Sequence, residues 1–144
     1  MNNIDFNLIK SDKNNIIKNV EFGKYYEKLF LIDLNKKYIN MKQPIYEFQY
    51  YDFYNDDYIV ELKTRCYYIN NFKNKCNNVW LNKSKIIKYN NDKLNQNKKF
   101  LFIAKFLDVV LEIEYDKIKF NKYNEILYNN EWMVEVLIND FKPF

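Results

Sequence analysis

Three residues in the middle of the chain have types and spacing suited to hydrolytic chemistry. Glu61 and Lys63 are two positions apart in the run Tyr58-Ile59-Val60-Glu61-Leu62-Lys63-Thr64-Arg65. That run is rich in strand formers, and alternate residues of a strand share a face. A carboxylate and an ammonium therefore project together, with Val60 and Leu62 on the opposite, apolar face expected to meet the core. Upstream, Asn55-Asp56-Asp57 reads as a tight turn. A hairpin centred between Asp56 and Asp57 pairs residues whose numbers sum to 113, which sets Asp52 directly across from Glu61. Facing residues have Cβ atoms about 5 Å apart. Two carboxylates at that spacing repel unless a proton or a cation lies between them. A divalent ion is the natural bridge: Mg²⁺ takes oxygen ligands and is commonly held by one or two carboxylates together with phosphate oxygens. Lys63 on the same face can orient an attacking water or neutralise developing charge.

The acid-x-Lys tripeptide carries little weight by itself. With 19 acidic residues and 22 Lys in 144 positions, composition gives roughly three by chance. The sequence has two, Glu61-Leu62-Lys63 and Asp140-Phe141-Lys142. What sets the first apart is an apolar strand, a turn before it, and an acid at the matching cross-strand position. The competing reading is a cross-strand ion-pair cluster on a solvated face. Glu112 and Glu114 also share a strand face, but no Asp-bearing arm precedes them.

Composition removes other chemistries. The sequence has no His and one Gly, Gly23. Ser-His-Asp and Cys-His nucleophile systems, His-containing zinc sites, P-loops and Rossmann fingerprints are excluded. The cysteines, Cys66 and Cys76, fit no common zinc spacing and read as reduced thiols of an intracellular protein. The sequence lacks a signal-peptide pattern and any apolar run near the ~18 residues of a membrane span. The expected location is the cytoplasm, not the exterior. Twenty-four Asn and 22 Lys against one Arg reflect AT-rich codons, and the net charge of +4 permits a polyanionic partner.

The elements that position these residues follow from periodicity. A short strand is expected in 4–9. Residues 21–37 repeat apolar positions at three- and four-residue steps, as an amphipathic helix does. Residues 45–65 form the hairpin, with arms 46–54 and 58–65. Residues 66–78 read as a loop and 79–90 as a helix. Strands are expected at 100–105, 109–115 and 132–138. This order predicts one α+β domain over 1–144, with a central mixed sheet flanked by helices.

The pattern Tyr51-Asp52-Phe53, then Glu61-Leu62-Lys63-Thr64-Arg65, preceded by a helix carrying Phe22-Gly23-Lys24-Tyr25-Tyr26-Glu27, resembles the PD-(D/E)xK nuclease superfamily, the restriction-endonuclease-like fold. The run Glu61-Leu62-Lys63-Thr64-Arg65 also looks like small nucleases of this superfamily from large DNA viruses with AT-rich genomes. The resemblance covers residues 21–65 and extends by element order through the helix near 84–88 and the strands after 100. Tyr51 stands where the family's motif often has Pro. The resemblance implies Mg²⁺ or Mn²⁺ held by Asp52 and Glu61, Lys63 as the catalytic lysine, and Glu27 as a supporting acid. It implies hydrolysis of DNA, with Lys83, Lys85 and Lys88 on the following helix and Arg65 on the motif face as phosphate contacts. At this length there is little room for a specificity domain, which leaves target choice to a homodimer or a targeting partner. The alternatives are a catalytically inactive nucleic-acid-binding module of the same fold, and a structural protein in which the motif is coincidental.

Overall fold

The computed structural model describes residues 16–46, 49–65, 69 and 78–144. The strand expected in 4–9 and the thiols of Cys66 and Cys76 lie outside the described residues. The chain divides into two compact units, Met1–Ile39 and Asn40–Phe144.

The N-terminal unit contributes one helix, α1 (Ile16–Lys37), which begins five residues before the periodicity predicts. Phe30 and Leu34, four apart and so on one face, are its buried positions. Lys36 and Lys37 in its last turn favour the negative end of the helix dipole.

The C-terminal unit is built on a five-stranded mixed sheet. Its strands are β1 (Phe53–Tyr54), β2 (Tyr58–Thr64), β4 (Lys99–Lys105), β5 (Val110–Glu114) and β8 (Lys142–Pro143), in the order β1-β2-β4-β5-β8. Only β2 and β4 run parallel. A parallel pair needs a crossover connection. Here it contains β3 (Asn78–Asn82) and helix α2 (Lys83–Asn91). β4 lies at the centre of the sheet, and Phe100 to Ala104 are all buried. That explains its unbroken apolar run, since a strand covered on both faces shows no alternation. A short helix, α3 (Lys117–Phe120), is capped by Asp116, whose side chain accepts the Lys119 N–H.

A second, three-stranded antiparallel sheet joins β3, β7 (Glu131–Leu137) and β6 (Glu125–Tyr128) in the order β3-β7-β6. The sequence reading had only its last strand. The segment 79–90, expected to be one helix, is strand through Asn82 and helix from Lys83 onward. Val79 and Leu81 are buried while Trp80 between them is not, a period of two that the helical reading overrode. β6 and β7 meet at Asn129-Asn130, both with positive φ. Two successive positive φ values make the I′ hairpin turn, and Asn tolerates them without Gly.

The β1–β2 turn is solved differently. Neither Asp56 nor Asp57 has positive φ. Instead Asn55 Oδ1 accepts the amides of Asp57 at 2.9 Å and Tyr58 at 2.7 Å, an Asx turn that closes the loop without glycine. The first arm is shorter than the expected 46–54: its ladder is confined to Phe53 and Tyr54, and Tyr54 also bridges Lys42. The core gathers Ile59, Leu81, Phe100, Phe102, Phe106 and Val136 with their neighbours. No helix among the described residues is long and apolar enough to cross a membrane.

Candidate active site

The hairpin register agrees with the expected one over its paired residues: Phe53 pairs with Val60 and Tyr54 with Ile59, so paired numbers sum to 113. The ladder ends at Phe53, and Asp52 is held outside it. The Asp52 amide donates to Val60 O at 2.8 Å, and the Asp52 carboxylate accepts the Leu62 amide through Oδ2 at 2.8 Å. Asp52 is thereby held by the backbone on both sides of Glu61.

Glu61 is 1% exposed. The sequence reading gave β2 one buried and one open face. The structure buries residues of both faces, Val60 and Leu62 on one and Glu61 on the other, where Lys85 of α2 reaches it. A solvated ion-pair cluster is therefore not what this chain builds. A buried carboxylate is costly unless paired. Glu61 Oε1 meets Lys63 Nζ at 3.2 Å and also accepts a short hydrogen bond from Lys85 Nζ. Glu61 Oε2 is buried with no hydrogen-bond partner among the described residues. One oxygen is thus crowded by two cations while the other is unsatisfied.

Lys63 reaches this point from β2, and Lys85 from the first turn of α2. Burial pushes the Lys63 ammonium below the usual lysine value. Glu61 opposes this, and the charges of Lys85 and Arg65 add to it. Lys63 Nζ also donates to Asn82 Oδ1 at 2.9 Å, and Asn82 Nδ2 donates to Glu131 Oε2 at 2.8 Å.

Arg65 follows β2, half-buried, with its amide on Lys105 O at 2.8 Å and Nη1 on Thr64 O at 3.3 Å. Lys83 pairs with Glu125 at 2.8 Å, and Lys88 is exposed on α2. Of the three helix lysines, only Lys85 touches the carboxylate centre among the described contacts. Glu27 lies half-buried on α1 of the N-terminal unit, while Asp52, Glu61 and Lys63 belong to the C-terminal unit. Asn82 and Glu131 escaped the sequence reading. The signal for Asn82 was its place at the end of a strand, hidden while 79–90 was read as helix.

The other buried acid, Glu112, lies on β5 beside Lys142 at 3.7 Å. The second acid-x-Lys tripeptide is equally unlike the first. Asp140 accepts the Tyr123 hydroxyl at 2.5 Å, and Lys142 stands at the sheet edge.

The donor set at Glu61 suits a small hard cation. It offers an unsatisfied buried carboxylate oxygen, with the Asp52 carboxylate held on the amide of the next residue, Leu62, and Mg²⁺ is commonly held by one or two carboxylates with water and phosphate oxygens completing the shell. Three or more His, Cys, Asp or Glu do not gather anywhere among the described residues.

No family model matches the sequence, and no curated protein matches it. Among solved structures, the chain is similar to Hjc of Archaeoglobus fulgidus, a Holliday junction resolvase from an archaeal hyperthermophile. The match has 10% sequence identity and a TM-score of 0.48, and covers 79% of this chain and 93% of that one.

Proposed function

We propose that this chain is a divalent-metal-dependent nuclease that hydrolyses phosphodiester bonds in DNA, acting inside the cell. The observation that carries the reading is Glu61: a fully buried carboxylate with one oxygen unsatisfied among the described residues, lying between the Val60 and Leu62 backbone groups that hold Asp52 and flanked by Lys63. Burying an acid this way is unfavourable for a merely structural residue, and it suits a ligand waiting for a cation.

Asp52 and Glu61 would hold Mg²⁺ or Mn²⁺, which supplies charge neutralisation at the phosphate and a more acidic water. The other work falls to the chain. The Leu62 amide fixes the Asp52 carboxylate, so the ligand needs little reordering on binding. Lys63 presents its Nζ beside Glu61, where it can orient the attacking water and stabilise charge developing on phosphorus-bound oxygens. The water oxygen forms the new bond to phosphorus, the sugar oxygen leaves, and a proton passes to it. Lys85 and Arg65 add positive charge around Lys63, which favours a polyanionic backbone. A second copy or a partner protein is proposed to supply target choice.

The test is cleavage of plasmid and of branched synthetic DNA with Mg²⁺, Mn²⁺ or EDTA, beside Lys63→Ala and Asp52→Ala. Metal-dependent cutting by the natural chain, lost in both variants, supports the reading. No cutting of either DNA under any metal overturns it.

A further inference from the structure

Asn82 stands at the N-cap of α2, with extended backbone angles of φ −66° and ψ 118°. Asn is among the residues most favoured at that position, because its side-chain oxygen normally accepts an amide of the first helical turn. Asn82 makes no such cap bond. Its Oδ1 accepts from Lys63 Nζ at 2.9 Å, a closer contact than the 3.2 Å between Lys63 and Glu61. A residue suited to one task has been turned to another.

The amide orientation follows from its two neighbours. Lys63 is a donor only, and the Glu131 carboxylate is an acceptor only. An amide placed between them must show oxygen to Lys63 and nitrogen to Glu131, as it does. Glu131 begins β7, the strand paired with β3, and Asn82 pairs with Met133 on it. The second sheet thus reaches Lys63 through two hydrogen bonds.

Glu61 is a poor anchor for Lys63 under working conditions. Lys85 already shares the same oxygen, and a cation bound at Glu61 would weaken both lysine contacts further. Asn82 is neutral and does not compete for the cation.

We propose that Asn82, oriented by Glu131, is a positioning residue that holds the Lys63 ammonium in place when Glu61 is engaged elsewhere. The consequence for rate rests on the nuclease reading, but the positioning itself does not.

The experiment compares the full-length natural chain, Asn82→Ala, and the paired exchange Asn82→Asp with Glu131→Gln. In the exchange an acceptor still faces Lys63, and the amide donor comes from the other side. The first readout is the order of the Lys63 ammonium by ¹⁵N relaxation, with every protein carrying Glu61→Gln so that the carboxylate no longer anchors Lys63, assigned with Lys63→Gln. It is ordered in the natural chain, mobile in Asn82→Ala, and ordered again in the exchange. The second readout is single-turnover cleavage, set against DNA affinity measured with Ca²⁺. The rate falls about 10- to 100-fold in Asn82→Ala, affinity is unchanged, and the exchange recovers the rate. Asn82→Ser restores a cap oxygen but is too short to reach Lys63, and replaces the alanine variant if that one does not fold.

An ammonium as ordered in Asn82→Ala as in the natural chain overturns the proposal. So does a mobile ammonium with an unchanged rate. If the natural chain cuts nothing, the nuclease reading falls, and the relaxation comparison still decides the positioning.

Discussion

The Asp52 carboxylate accepts the Leu62 amide at 2.8 Å, so a side chain from one arm of the hairpin closes on the backbone of the other, one residue from Glu61. This gives Asp52 two separable properties: an acceptor that the hairpin uses and a charge that a cation would use. Asp52→Asn keeps an oxygen for Leu62 and removes the charge, whereas Asp52→Ala removes both. Asp52→Ala is expected to lower stability by about 1–2 kcal/mol, the cost of leaving a buried amide without its partner, and Asp52→Asn by much less. Both lose metal-dependent cleavage. Urea melts beside cleavage assays check this, and equal destabilisation by the two variants would show that the charge, not the acceptor, holds the hairpin.

Glu61 should make the fold respond to metal. A ligand that binds only the native state at ten times its dissociation constant adds about 1.4 kcal/mol, or roughly 3–6 °C of melting temperature for a chain of this size. Mg²⁺ or Mn²⁺ is expected to raise the melting temperature of the natural chain, and EDTA to reverse it. Glu61→Gln should abolish the response. Differential scanning fluorimetry across a metal titration reads it directly. A shift that survives Glu61→Gln would place the ion elsewhere.

Lys85 holds Glu61 Oε1, on the same carboxylate whose other oxygen a cation would approach. Its removal by the near-isosteric Lys85→Met is expected to tighten metal binding by about tenfold, or ~1.4 kcal/mol, by deleting a like charge next to the site. The gain should shrink as salt rises. Cleavage should nonetheless slow, because one positive charge facing the phosphate is gone. Isothermal titration with Mn²⁺ decides the first part: unchanged or weaker binding would mean that Lys85 and the cation do not contend for Glu61.

Much of this centre was legible in the sequence, for a local reason. The hairpin register depends only on a two-residue loop and a period of two, and the Asn55 turn delivered it without glycine over the pairs Phe53–Val60 and Tyr54–Ile59. Burial of Glu61 was not legible. It depends on elements distant in sequence covering that face of β2, among them α2 with Lys85, a contact with no signature within the strand. Asn82 was missed for a related reason. Val79-Trp80-Leu81 is too short to distinguish strand from helix by pattern alone, and its pairing with β7 decided the matter. The hairpin partner β6 was invisible because its residues are mostly exposed, so no alternation marked it.

Asp92 offers a prediction independent of the catalytic reading. It follows α2 and accepts the Tyr50 hydroxyl at 2.8 Å, the Asn95 side-chain amide at 2.6 Å and the Leu94 amide at 3.1 Å. Burial alone would raise its carboxyl, but the hydrogen bonds from Asn95, Tyr50 and the backbone outweigh it and hold the group below the ordinary carboxylate value. A carboxyl lowered in the folded state binds fewer protons there than in the unfolded chain. Its stabilising effect is therefore present above the unfolded value near pH 4 and is lost as pH falls through the lower folded value. Asp92→Ala is expected to cost about 1 kcal/mol at pH 7, a modest figure because the site is only partly buried. The gap to the natural chain should narrow as pH falls below about 4. Tyr50→Phe should be destabilising in the natural chain and much less so on top of Asp92→Ala, since the hydroxyl has then already lost its acceptor. Urea unfolding of the four proteins at pH 7, 5 and 3 measures all of this, and a gap that stays constant with pH would show that the Asp92 charge has no part in holding the Tyr50 end of the core to the loop after α2.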